Sequence, residues 1–139
     1  MLKDIGVKLN IETVPSDPFF DKYVAPGNYD ITPFSWIGTP FPISPNKSIY
    51  QEPTGSNIRQ NFARIGSPKI DNLMDQAIQS LDPNQARKYA NQADAEIWKE
   101  VHSLILFQRP QNWGVTKGLA NVGANGLGTL NYEDIGFQK

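Results

Sequence analysis

The chain has 139 residues, a formal net charge of −1, 39% apolar and 19% charged residues, and no cysteine. That is enough for one small domain with a core, and it excludes a disordered chain, a disulfide framework and a thiolate metal site. Lys and Arg are scattered, which leaves no electrostatic footprint for nucleic acid or an anionic membrane, and no apolar run approaches the roughly 20 residues of a membrane span.

In chain order, "LKDIGVKLNIETV" reads as a helix end running into a strand. Val7, Leu9 and Ile11 alternate with Lys8, Asn10 and Glu12, the period-2 mark of residues 7–14 as a strand. No signal peptide precedes it, and a start in mid-element is what a piece of a larger protein shows. Asp17 and Pro18 are an N-cap and first-turn pair for a short helix to about Val24, and "APGN" at 25–28 stops it. "YDITPFSW", residues 29–36, is a second strand, so the opening is a βαβ unit with a right-handed crossover. The segment then enters a loop rich in Gly and Pro that carries Trp36, Phe41 and Tyr50 and almost no charge.

Ser67 and Pro68 start a helix whose stripe is Ile70, Leu73, Met74, Ala77, Ile78 and Leu81. Asp82 and Pro83 start another, presenting Ala86, Tyr89, Ala90, Ala93, Ile97 and Val101. A short turn between them predicts an antiparallel pair. "SLILFQ", residues 103–108, is apolar without alternation, as in a strand covered on both faces. Residues 113–119 suit one more strand, and the glycine-rich remainder reads as loop or tail.

Catalytic groups are scarce. The single histidine, His102, falls at a helix end, where a partial positive charge complements the carbonyl end of the dipole. Asp71 and Asp75 are helical neighbours opposite the apolar stripe, and with Glu96 and Glu100 they read as solvated faces. No P-loop, GxGxxG or EF-hand pattern occurs, no nucleophile–base pair is visible, and no cofactor or metal is expected. Trp98, set between apolar positions, reads as core, while Phe107, Trp113 and Tyr132 suit core or edge. Trp36 differs, because ligands of open parallel sheets bind beyond the carboxyl ends of the strands. An indole there either offers a stiff apolar wall with one N–H donor or plugs the end of the sheet.

Four stretches in order carry a family likeness. They are "LKDIGVKLNIETV", "YDITPFSWIG", "NFARIGSPKIDNLMDQA" with Asn61, Pro68, Asp71 and Leu73 in register, and "DPNQARKYANQADAEIWKEVHSLILFQRP". From residue 2 to about 123 the chain resembles the C-terminal part of the family 5 extracellular solute-binding proteins of ABC importers, the oligopeptide/dipeptide-binding type.

The resemblance implies an α/β fold, the C-terminal lobe of a type II periplasmic-binding-protein architecture, with residues 1–109 forming an incomplete lobe. Residues 110–139 would be a return segment belonging with an N-terminal lobe. It implies no enzyme but capture of a peptide or related solute between two lobes, a membrane permease as partner, and a parent tethered outside the membrane. The 32–50 loop would face the cleft, with Trp36, Ile37, Gly38, Thr39, Phe41, Ser44 and Asn46 as ligand-binding residues. In peptide-binding members an Asp three residues after the Trp pairs with the peptide ammonium. Thr39 stands there, and a neutral hydroxyl cannot make that charge-assisted bond. Two other readings stay open: a protein-interaction module using the 32–50 loop, and an oligosaccharide-binding relative. The tail, lacking its partner lobe, is expected to be disordered or to self-associate.

Overall fold

A computed structural model describes residues 2–138, which divide into two units, one up to Pro33 and one from Phe34 onward.

In the first unit Leu2–Ile5 form a 3₁₀ turn. Phe19–Val24 form a π-type helix, with the Ala25 N–H donating to the Phe20 carbonyl at 2.8 Å and that of Asn28 to Tyr23 at 2.8 Å. The helix expected near 17–24 is thus present with a wider turn. Asp17 does not cap it: Pro18 holds the N-cap place and no side-chain bond closes that end.

The strands expected at 7–14 and 29–36 do not form, and neither does the βαβ unit built from them. Val7, Leu9, Ile11 and Ile31 are exposed, and no ladder joins these stretches among the described residues. Alternation marks a strand only where a neighbouring strand takes its backbone groups and a core takes one face, and neither is there. The same reason corrects residues 103–108, where Leu104, Ile105, Leu106 and Phe107 are 67–77% exposed in irregular backbone.

In the second unit a 3₁₀ turn, Ser44–Asn46, leads into α1, Lys47–Tyr50. Helix α2 is Pro68–Gln79, and α3 is Pro83–Lys99. Both start signals act as expected. The Ser67 hydroxyl accepts from the Ile70 N–H, and the Asp82 carboxylate accepts from that of Asn84 at 2.9 Å. Lys69 at the start of α2 reaches Glu96 near the end of α3 at 2.6 Å, which fixes the pair as antiparallel. Ile70, Leu73 and Met74 of α2 meet Ala93 of α3 in the core, with Ile43, Tyr50, Tyr89 and Ile97 packed around them.

The apolar stripe ends sooner than its spacing implied. Ile78 is exposed in the last turn of α2, Leu81 is exposed beyond its end at Gln79, and Val101 is exposed beyond the end of α3. Trp98, expected in the core, is exposed on α3, as are Phe107, Trp113 and Tyr132. After residue 103 the regular pairing is two residues long on each side: β1, Leu119–Ala120, lies antiparallel to β2, Gly136–Phe137. The strand expected at 113–119 does not form: β1 shares only Leu119 with it, and its partner comes from the stretch read as tail. No helix among the described residues is long and apolar enough to cross a membrane.

Candidate functional site

The segment Phe34–Asn46 has no carboxylate and no cation, so apolar contact and local hydrogen bonds shape it. Trp36 is 43% exposed and belongs to a cluster of three rings. Phe62 stacks on the indole, with centroids 5.7 Å apart and planes 7° from parallel. Phe34 stands edge-on to both, 5.4 Å from Trp36 and 5.9 Å from Phe62. Those three separations make a near-equilateral triangle, so Phe34 lies beside the stack and not on the far face of the indole.

The other expected site residues follow on the exposed surface. Ile37 and Phe41 project into solvent. A side chain at Gly38 would come within 3.1 Å of Leu127, so that glycine gives the Leu127 methyls room. The Thr39 hydroxyl donates to the Phe41 carbonyl at 2.9 Å, and the Asn46 amide donates to that of Pro42 at 2.8 Å, folding the segment back on itself. The Ser44 carbonyl accepts the first helical bond, from Lys47. Trp36 is therefore brought against other rings, while Thr39, Phe41, Ser44 and Asn46 take part in local bonds and Ile37 stands in solvent. A shallow recess on this unit is lined by residues 121–125 and 129–131 and includes none of the seven. Among the described residues no three His, Cys, Asp or Glu side chains gather as a metal site.

Phe62 and Phe34 were not singled out in the sequence. The available signal was "NFARIG", where a ring follows an asparagine that the fold needs. Asn61 is wholly buried, and it donates to the Gln51 carbonyl at 2.9 Å and to the Ile65 carbonyl at 2.7 Å. With both amide hydrogens so used, its oxygen must face the His102 Nε2, 3.0 Å away. The imidazole therefore carries its proton on Nε2, shared with the Ile49 carbonyl at 3.2 Å, while Nδ1 is buried with no partner among the described residues. Tyr50 lies edge-on to the same ring at 4.8 Å. His102 does follow the helix end, but it turns inward as a neutral tie between α1 and the 58–66 loop and not outward as a charge on the dipole.

Burial holds the His102 pKa below its ordinary 6.5, against the opposing pull of the Ile49 carbonyl and of Glu100. The folded chain then binds this proton less readily than the unfolded one, so stability rises with pH through the region below about 6.5 and is lost as pH falls. The urea midpoint is expected to be lower at pH 5.5 than at pH 7.5, with the difference shrinking in His102→Gln. An unchanged difference in that variant would assign the acid sensitivity to other groups.

The carboxylates read as solvated also bind. Asp71 accepts from the Glu52 backbone N–H at 3.1 Å, and Asp75 pairs with Lys47 at 2.5 Å. Both fasten the stretch after the aromatic segment to α2. The ring cluster therefore sits on a frame: Phe62 follows Asn61 directly, and Asn61 is tied to Gln51, just past α1, and to His102 beyond the end of α3.

No family model matches the chain. Over 138 residues, 99% of its length, it is 44% identical to the oligopeptide-binding protein OppA of Mycobacterium bovis, and equally to those of two strains of Mycobacterium tuberculosis. The chain spans 23% of the length of each of these relatives. The resemblance read from four motifs therefore runs along the whole chain. The relatives' name is that of a binding protein and not of an enzyme, in line with the sequence reading.

Proposed function

We propose that this chain, which carries oligopeptide-binding-protein sequence along its length, supplies the C-terminal lobe of the substrate-binding component of an ABC importer. In this reading residues 1–109 belong to an α/β lobe of type II periplasmic-binding architecture, and 110–139 return towards an N-terminal lobe. The parent captures an oligopeptide outside the membrane, to which it is tethered, closes its lobes on it, and presents the closed form to a permease. Trp36, Ile37, Gly38, Thr39, Phe41, Ser44 and Asn46 form this lobe's side of the cleft, with Trp36 as the wall.

The observation that carries the reading is the 44% identity over 99% of the chain to proteins that bind oligopeptides. Two features of the molecule support it. The half-exposed indole is held by other rings, as a binding surface requires. The run Leu104–Phe107 is apolar and exposed, which this reading explains by neighbours that another part of the parent would supply.

Half a cleft lacks half its contacts, so this chain alone should give no saturable tryptophan response to a mixed oligopeptide library. The complete gene product should give one, and Trp36→Phe should remove most of the signal and weaken binding about tenfold, the equivalent of about 1.4 kcal/mol. A complete protein that answers neither peptides nor oligosaccharides would remove the solute-binding reading.

A further inference from the structure

We propose that Phe62 is a positioning residue for Trp36, and that the platform they form with Phe34 selects peptides by an uncharged apolar or aromatic side chain and not by a free ammonium group. The inference rests on the reading of Trp36 as a ligand wall and adds to it the residue that sets the wall and the class of group it accepts.

A tryptophan on an irregular segment would ordinarily sample several rotamers, and a ligand would have to order it. Here the stack at 5.7 Å and 7°, together with the edge contact from Phe34, restricts the indole before any ligand arrives. Phe62 is itself held at its backbone. Its N–H donates to the Gln60 carbonyl at 2.9 Å, Arg64 donates to its carbonyl at 3.0 Å, and its neighbour Asn61 is the buried centre of three hydrogen bonds. The Phe62 ring thus couples a hydrogen-bonded loop to the Trp36 side chain.

The chemistry of the surroundings decides what the platform takes. Residues 34–46 offer no carboxylate, and the Thr39 hydroxyl already donates to Phe41. The charged side chain tied to the Phe62 backbone is the Arg64 guanidinium, a cation. Residues 34–46 would give an ammonium group placed here no negative charge to offset its lost hydration, whereas an apolar ring would gain contact with the indole.

The test uses the complete gene product with every tryptophan other than Trp36 replaced by Phe, Trp98 and Trp113 among them, so that Trp36 is the sole emitter. The probes are Ala-Phe-Ala, its N-acetylated form and N-acetyl-Ala-Ala-Ala. The acetylated Phe peptide should bind at least as tightly as the free one and more tightly than the Ala peptide. Phe62→Leu should weaken the acetylated Phe peptide roughly three- to tenfold, leave the Ala peptide within twofold, and broaden the Trp36 emission of the unliganded protein, while Phe62→Tyr keeps all three properties. If Trp36→Leu abolishes binding and Phe62→Leu changes neither selectivity nor emission, the positioning role is overturned and the wall reading stands. If neither substitution alters binding, the wall reading falls and the proposal with it. Tighter binding of the free-ammonium peptide would overturn the assigned ligand class.

Discussion

Asn61→Ala is expected to lower the unfolding free energy of this chain by about 3–5 kcal/mol, since it strips partners from buried backbone groups and leaves a void. The side chain is wholly buried and makes three bonds, two to the carbonyls of Gln51 and Ile65 and one with the His102 ring. Alanine leaves both carbonyls without the amide that served them, and each such orphan costs on the order of 1–3 kcal/mol. His102 loses less, because its N–H keeps the Ile49 carbonyl. Domains are stable by only about 5–15 kcal/mol, so the variant should be marginal. Urea unfolding followed by far-UV circular dichroism measures it. Asn61→Asp should be no better, as it removes both donors and sets a negative charge against two carbonyl oxygens. A cost below about 1 kcal/mol for Asn61→Ala would mean that water reaches the site and serves both carbonyls.

The two long helices were legible because their signals are local. Ser67 with Pro68 and Asp82 with Pro83 are complete start signals within a few residues, and the stripe of Ile70, Leu73 and Met74 repeats at helical spacing. The strands were not legible, because a strand is made by its neighbour. "VKLNIETV" and "SLILFQ" have the composition, but no partner joins them among the described residues, whereas Gly136–Phe137, with no strand pattern at all, pairs with Leu119–Ala120. The polar ties were hidden by distance along the chain. Asp71 and Asp75 face away from the core stripe as their spacing required, yet that face meets Glu52 and Lys47 from the preceding segment.

The aromatic segment was half legible. An indole on a loop without charge is visible in the sequence. The ring that stacks on it comes 26 positions later in the chain, and nothing in "NFARIG" by itself points Phe62 back to Trp36. His102 shows the same limit from the other side. Its place at a helix end was correct, but the direction of its ring depends on Asn61 and Ile49, which approach from 41 and 53 residues away.

Gly66→Ala is the second substitution with a large expected effect, about 3 kcal/mol, and its cause is steric. A Cβ on Gly66 would sit 2.9 Å from the Glu52 Cα, the Glu52 nitrogen and the Tyr50 carbonyl oxygen, all backbone atoms that no rotamer change can move. Overpacking typically costs about 1–3 kcal/mol where side chains can yield, so the upper end applies here. The backbone that must shift is pinned on several sides: Glu52 donates to Asp71, Gln51 donates to the Lys47 carbonyl, and the Gln51 carbonyl accepts from Asn61. Moving residues 50–52 to admit a methyl group therefore stretches the bond that Asn61→Ala deletes, and the two losses overlap. The double variant should be less destabilised than the sum of the singles by about 1 kcal/mol or more, as coupled neighbours are. Additivity within about 0.5 kcal/mol would mean that the chain makes room for the methyl without disturbing Gln51, and that Asn61 and Gly66 hold the frame beneath Phe62 independently.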